Sequence, residues 1–270
     1  MFNRLLITGA AGNVGKVMRE RLAPFARILR LSDVKPFGPE KPNEEHMLCD
    51  LGDMAGVHQL LKDCDAIVHL GGISVEAPFQ PILNANIVGV YNLYEAARKH
   101  GIGRIVFASS NHVIGFYEQN QTIDTEVPMR PDTMYGVSKG FGELLSRFYF
   151  DRYGIETVCL RIGSAYHEPL DRRMMSTFLS FDDLTELIRC SLYTENVGHT
   201  VVYGVSANRN CWWDNSKARH LGFQPKDTSE VFRAKIDAAP PVDRADPMMV
   251  FQGGRFVIQG PFEEECGLQG

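Results

Sequence analysis

The sequence predicts an α/β protein with a doubly wound parallel sheet and a small C-terminal substrate-binding portion. Short apolar runs alternate with helical patterns along residues 1–165, and the connections between them are short. The first of these runs passes through a glycine-rich turn directly into a helix. The length of 270 residues suits one large domain with an appendage.

The glycine-rich turn is the first candidate ligand site. Residues 4–8 are predicted to form a buried strand and 16–22 a helix, and between them the glycines recur as G-x-x-G-x-x-G. This spacing allows a tight turn and close approach of the backbone to a dinucleotide pyrophosphate at the helix N-terminus. An ordinary turn is the alternative, but the position between the first strand and the first helix favours a nucleotide. The expected contacts are Gly9, Gly12, Asn13, Val14 and Gly15.

An acidic residue follows the second predicted strand, residues 28–32. Asp33 lies where a carboxylate meets the adenosine ribose hydroxyls, and it would repel a 2′-phosphate. We therefore predict NAD rather than NADP as the cofactor. The nearby Lys35 leaves some use of NADP open, and a turn-forming role is the alternative for Asp33.

Later strand ends supply further candidate contacts, because ligands bind beside the carboxyl ends of strands in open parallel sheets. Strands are predicted at 46–49, 66–70 and 156–161, and a long crossover helix at 82–100. His69, inside one strand, is interpreted as a packed core residue. The additional cofactor contacts expected at these ends are Asp50, Leu51, Leu70, Gly71 and Ile162.

The candidate catalytic residues lie on the next strand and helix. Tyr135 and Lys139 are four residues apart, so both side chains leave one helix face. The ammonium, together with a nicotinamide cation, is expected to lower the phenol pKa from about 10, making Tyr135 a general base. Ser110, after a strand at 104–108, would hold a substrate oxygen against the phenol. Taken alone, the Tyr and Lys pair could also be an exposed helical pair.

The pattern after Ser164 is looser. We divide the chain into a dinucleotide-binding core with the Ser/Tyr/Lys site, a substrate-binding and helical portion, and a tail, at 1–165, 166–238 and 239–270. Two apolar runs around Gly253-Gly254 predict a hairpin within the tail. The other predicted elements are helices at 181–192 and 214–221 and a strand at 200–203.

Composition and charge limit the partners. Lys and Arg total 28 against 33 Asp and Glu, a net charge of −5 that predicts neither nucleic-acid nor membrane binding. The six cysteines are scattered, which argues against a metal site or a disulfide scaffold. No apolar run reaches membrane-spanning length, and residues 1–8 enter a strand without a signal-peptide pattern. We expect a cytoplasmic homo-oligomer, to which the hairpin could contribute a subunit contact.

The glycine turn, the strand-end acid and the Ser/Tyr/Lys group occur in the order that the extended short-chain dehydrogenase/reductase superfamily shows. The chain resembles this superfamily across about its first 165 residues. The resemblance implies a Rossmann fold, a nicotinamide cofactor and a Ser/Tyr/Lys active site. Asn86, Gly89 and Asn92 also match the superfamily's helix motif.

A closer resemblance, to the uronate dehydrogenase family, rests on residues 70–76, 109–112, 135–139, 161–164 and 212–216. It implies NAD-dependent oxidation of cyclic galacturonate or glucuronate at C1 to an aldarolactone. A loop arginine of that family is matched by Arg173, which would grip the sugar carboxylate; the alternative is a solvated surface charge. The hexuronate contacts that the resemblance implies are Ser74, Ser110, Asn111, His112, Tyr135, Ser164 and Arg173.

Two other functions stay open at this point. A nucleotide-sugar epimerase, dehydratase or reductase of the same superfamily would need a larger C-terminal lobe than the short stretch after Ser164. A nonenzymatic NAD-sensing protein on this fold would commonly lack the active-site Tyr and Lys. The residues do not rank galacturonate against glucuronate, nor one anomer against the other.

Overall fold

A computed structural model describes residues 1–240, 243 and 245–260 of the chain. The remainder of the predicted tail, with Cys266, lies outside the described residues. Short apolar runs form the strands as expected. Most extend the predicted bounds by a residue or two, whereas the strands predicted at 46–49 and 66–70 each end one residue earlier. The strands are β1 (Phe2–Thr8), β2 (Ala26–Asp33), β3 (Glu44–Leu48), β4 (Ala66–His69), β5 (Arg104–Ser110), β6 (Glu156–Ile162), β7 (Ser164–Ala165), β8 (Phe178–Leu179) and β9 (His199–Gly204).

Seven of the described strands form one parallel sheet in the order β3-β2-β1-β4-β5-β6-β9. The chain builds outward from β1 to β3 and then returns to the other side of β1. This reversal is the topological switch point where open α/β sheets bind ligands. The predicted doubly wound parallel sheet is confirmed, and β7 and β8 form a separate short pair that the sequence did not indicate.

Helices cover both faces of this sheet. Alternate residues of β1 point to opposite sides, so Leu5 and Leu6 belong to different apolar clusters. Within the described residues, no helix combines the length and apolarity needed to cross a bilayer. The helices are α1 (Asn13–Arg21), α2 (Met54–Leu61), α3 (Phe79–Ile82), α4 (Gly89–His100), α5 (Met134–Tyr153), α6 (Met174–Thr177), α7 (Phe181–Tyr193), α8 (Arg233–Asp237) and α9 (Pro247–Val250).

The predicted long helix over 82–100 is interrupted. Leu83–Val88 forms a π-helical turn between α3 and α4. Asn86 lies in this turn, where its side chain bonds both backbone groups of Ile73 and donates to Ser138 Oγ at 2.9 Å. Apolar residues at 83, 87, 90 and 93 also fit an uninterrupted helix, so their spacing did not indicate the turn.

The hairpin predicted around Gly253-Gly254 is wrong. α9 is followed by a 3₁₀ turn over Gly254–Ile258, and the segment bonds to an earlier loop instead of folding on itself. Phe251 forms an antiparallel bridge with Glu118. The helix predicted at 214–221 is a shorter 3₁₀ turn, Ser216–Leu221.

Candidate active site

A cavity of about 900 Å³ lies at the carboxyl edge of the sheet. Every residue that the sequence analysis proposed for cofactor, substrate or catalysis lines it. His69, interpreted from the sequence as a packed core residue, does not line it. The cavity thus brings together Gly9, Gly12, Asn13, Val14, Gly15, Asp33, Asp50, Leu51, Leu70, Gly71, Ser74, Ser110, Asn111, His112, Tyr135, Lys139, Ile162, Ser164 and Arg173.

The glycine turn leaves room that side chains would fill. Gly9 has φ +72°, and a Cβ there would lie 2.7 Å from the backbone of Leu70 and Gly71. A Cβ on Gly15 would lie 2.0 Å from Gly9 O, so the helix can approach the strand only without a side chain. α1 begins without a capping side chain, and its first N–H groups are free to bind an anion. This geometry fits the pyrophosphate of NAD.

Asp33 ends β2 beside this turn. Its Oδ2 accepts from Ala11 N at 2.9 Å, and its Oδ1 accepts from Lys35 N at 3.1 Å. A carboxylate oxygen can accept two hydrogen bonds, so Oδ1 and Oδ2 can each accept a second one, from a ribose hydroxyl. Lys35 lines the same cavity, so a cation and an anion lie together at the adenosine end.

Tyr135 and Lys139 lie on the buried face of α5. The helix is capped by Thr133, whose hydroxyl accepts from Gly136 N, and Tyr135 N donates to Glu76 Oε2 at 2.9 Å. Lys139 Nζ donates to the carbonyl oxygen of Ala108 at 2.8 Å. These contacts hold the first turn of α5 against the end of β5.

The predicted lowering of the Tyr135 pKa includes the charge of a nicotinamide cation and stays a prediction, whereas the residues of the chain by themselves act in the opposite direction. Burial raises the pKa of Tyr135 to about 12, and a hydrogen bond with Ser110 only partly opposes this. Lys139 Nζ lies 5.8 Å from the phenol ring centroid, and burial lowers the pKa of Lys139 itself to about 8. Desolvation of the phenolate is the dominant effect.

Arg173 is half-buried in the cavity wall, not a solvated surface charge. Its Nε donates to Gln252 O at 2.6 Å. With the Asn111 amide in the orientation that satisfies both of its ends, Arg173 Nη2 donates to Asn111 Oδ1 at 2.7 Å and Asn111 Nδ2 donates to Ile162 O at 3.0 Å. The guanidinium is therefore tied to the loop after β5 and to the C-terminal segment.

His112 has partners on two sides. Its Nδ1 lies 2.7 Å from Asp132 Oδ2, and the Phe256 ring stacks on the imidazole with centroids 3.7 Å apart. Sequence reasoning missed Asp132, Phe256 and Glu76. Glu76 ends the matched segment 70–76 and Asp132 lies shortly before 135–139, a signal that could have been used, whereas nothing local indicated Phe256.

The two serines expected at the substrate have different surroundings. Ser164 is buried, and its Oγ lies 2.9 Å from Thr177 Oγ1. Ser74 is exposed in the loop after β4, which Asn86 and Glu76 tie to α5. Both line the cavity, so hydroxyl groups lie on more than one side of it.

A dinucleotide turn at the switch point and a Ser/Tyr/Lys group beside it define an extended short-chain dehydrogenase/reductase site. Residues 5–180 match the model of the NAD dependent epimerase/dehydratase family, and the chain belongs to this family.

Similar proteins narrow the assignment. A uronate dehydrogenase of Pseudomonas syringae pv. tomato is 61% identical, with 98% of this chain and 96% of that protein covered. The crystal structure of uronate dehydrogenase from Agrobacterium tumefaciens is 55% identical, covers 97% and 99% of the two chains, and has a TM-score of 0.95. A tyrosine-to-alanine mutant of that enzyme complexed with NAD is 54% identical, with the same coverage and TM-score. The resemblance to the uronate dehydrogenase family is confirmed.

Proposed function

We propose that this protein is an NAD-dependent uronate dehydrogenase, which oxidises a free cyclic hexuronate at C1 to the aldarolactone. The observation that carries the proposal is one cavity with the glycine turn at one end, Tyr135 and Ser110 in the middle and Arg173 beyond them. Relatives at 55–61% identity carry the name uronate dehydrogenase and support the same reaction.

Tyr135 is proposed as the general base. It takes the proton of the C1 hydroxyl while the C1–H electron pair leaves as hydride, and the C1–O bond becomes the lactone carbonyl. Bound NAD supplies the hydride acceptor and the positive charge of its oxidised ring. Ser110, which lines the cavity with the phenol, orients the hydroxyl. Lys139 contributes a cation behind the phenol and a donor for the cofactor ribose.

Arg173 is proposed to bind the C6 carboxylate. A guanidinium binds a carboxylate through two parallel N–H bonds, which fixes the orientation of the sugar and thus the end that meets Tyr135. Asn111, His112, Ser74 and Ser164 then serve the ring hydroxyls. In this proposal residues 166–238 complete the substrate side of the dinucleotide-binding core.

A spectrophotometric assay tests the function. Purified protein is given galacturonate, glucuronate, neutral hexoses and UDP-sugars, each with NAD and with NADP, and reduced cofactor is followed. We expect NADH from at least one free hexuronate and much less from neutral hexoses. Turnover of UDP-sugars without turnover of hexuronates would support the epimerase alternative and reject ours.

We also propose a homo-oligomer formed through α4 and α5. Large apolar side chains are exposed on these helices, among them Tyr91, Leu144 and Phe148 at 46, 65 and 49%. Exposed apolar side chains on two neighbouring helices favour a second copy of the same surface in a two-fold contact. Light scattering should show a smaller particle for Leu144→Glu combined with Phe148→Glu, and no change for Val231→Glu, which is 75% exposed elsewhere.

We also propose that the protein is located in the cytoplasm. The cysteines within the described residues are unpaired, as expected in a reducing compartment. Fractionation of producing cells, with detection of the protein by antibody, checks this location. Recovery in a periplasmic or membrane fraction would reject it.

A further inference from the structure

A C-terminal segment, residues 251–256, borders the substrate end of the cavity. Its Phe256 ring covers His112, and the main-chain oxygen of Gln252 accepts from Arg173 Nε. Both contacts join this segment to side chains proposed to touch substrate. The segment therefore lies behind the residues that would recognise the sugar, although nothing in its sequence resembles a binding motif.

Gln252 anchors the segment. Its side chain is fully buried and makes three hydrogen bonds, accepting from Trp213 Nε1 at 2.8 Å and donating to Glu118 O at 3.0 Å and Gln121 O at 2.9 Å. Its backbone N–H donates to Tyr117 O at 2.8 Å. A buried amide with these partners has little freedom, so the main-chain oxygen that meets Arg173 has a defined position.

The bonds of Arg173 leave a particular set of donors free. A guanidinium has five N–H groups, of which Nε–H is used by Gln252 and one Nη2–H by Asn111. Both Nη1–H groups and the second Nη2–H remain. The two Nη nitrogens can therefore present one N–H each to a carboxylate, whereas the Nε edge is already occupied.

Gly254 determines how closely the segment approaches. It has φ +60°, and a Cβ at this position would lie 2.2 Å from Arg173 Cδ and 2.7 Å from Arg173 Nε. Neither distance is possible for non-bonded atoms. Because the obstructed atoms belong to a flexible side chain, any substitution here moves the guanidinium.

We infer that Gln252 and Gly254 are positioning residues for substrate specificity. They hold Arg173 so that its Nη1 and Nη2 atoms face the C6 carboxylate of a hexuronate. The inference rests on the proposed function and deepens it. It extends the specificity-determining part of the site to a segment far along the chain from the Ser/Tyr/Lys group. Gln252 acts through its main-chain carbonyl oxygen, which accepts from Arg173 Nε. Gly254 acts by leaving the space that the Arg173 side chain occupies.

The test uses Gly254→Ala, Arg173→Ala and the double variant. Gly254→Ala should raise the KM for the hexuronate about tenfold, as expected for weakening a charged hydrogen-bonded pair, with the KM for NAD unchanged. Preference for hexuronate over the matching neutral hexose should fall. Because Gly254 acts through Arg173, the double variant should bind hexuronate no worse than Arg173→Ala alone.

Gly222→Ala is the matched control. Gly222 has φ +73° with no atom within 4 Å of an added Cβ, so alanine brings the same backbone strain without a collision. It should lower thermal stability slightly and leave every KM unchanged. If Gly254→Ala does not fold, Gln252→Ala is measured in its place, with the same expected shift in KM.

Three results would overturn the inference. These are an unchanged hexuronate KM in the folded variant, an equal rise in Gly222→Ala, or a double variant that is clearly worse than Arg173→Ala. Turnover of hexuronates by the wild type distinguishes failure of this inference from failure of the proposed function. If the wild type does not oxidise hexuronates the function fails, whereas normal wild-type turnover with an unaffected Gly254→Ala rejects only the positioning role.

Discussion

Asp132 Oδ2 lies 2.7 Å from His112 Nδ1, and the Asp132 side chain has no solvent-exposed surface. Burial lowers the pKa of His112 despite this carboxylate, so the ring is neutral at pH 7 with its proton on Nδ1. Nε2 is then an acceptor, available to a sugar hydroxyl.

Asp132→Asn should therefore raise the hexuronate KM about tenfold. The new amide can donate to Nδ1 and so favour the tautomer with the proton on Nε2, which no longer accepts from a hydroxyl. Steady-state kinetics with saturating NAD measure the effect. Asp53→Asn, at the N-cap of α2, is the control, and equal KM values for Asp132→Asn and wild type would argue against the tautomer role.

Tyr135→Phe removes the proposed base and keeps the ring. We expect kcat to fall by about 10²–10⁴, the usual contribution of a positioned proton acceptor. The KM for NAD should change little. Tyr153→Phe, at the exposed end of the same helix, should behave like wild type. A kcat within a factor of a few of wild type in Tyr135→Phe would reject the assignment.

The sequence predicted those parts of the fold and site that leave a local pattern. Gly9 and Tyr135 are recognisable because each belongs to a short motif at a strand end or helix start. The contact of Phe256 with His112 joins segments far apart in the chain, and no local spacing encodes it. The burial that raises the Tyr135 pKa leaves no local pattern either, since it depends on what the whole fold packs around the phenol.

Asp33→Asn should increase the use of NADP relative to NAD. The amide oxygen can still accept from Ala11 N, the amide nitrogen no longer accepts from Lys35 N, and the charge that repels a 2′-phosphate is lost. We expect the ratio of kcat/KM for NAD over NADP to fall about tenfold or more. The hexuronate KM at saturating cofactor is the internal control. An unchanged cofactor ratio would mean that Asp33 does not face the adenosine ribose.

Lys139→Met tests the cost of a buried ammonium. Burial lowers the folded-state pKa of Lys139 to about 8 from its ordinary 10.5, so between these values the unfolded chain binds more protons and wild-type stability rises with pH. Methionine carries no charge, so the variant lacks this increase in stability between pH 8 and pH 10.5. Loss of the Lys139 bond to Ala108 O costs stability at every pH, so the pH dependence is the test. Without added NAD, the unfolding temperature of the variant minus that of wild type should fall by on the order of 5 °C from pH 7 to pH 10. Tyr135 is present in both proteins, so the titration of its phenol cancels in the difference between them. Lys99→Met, on the exposed side of α4, is the control, and a gap that stays constant with pH would show that Lys139 is not desolvated as the fold implies.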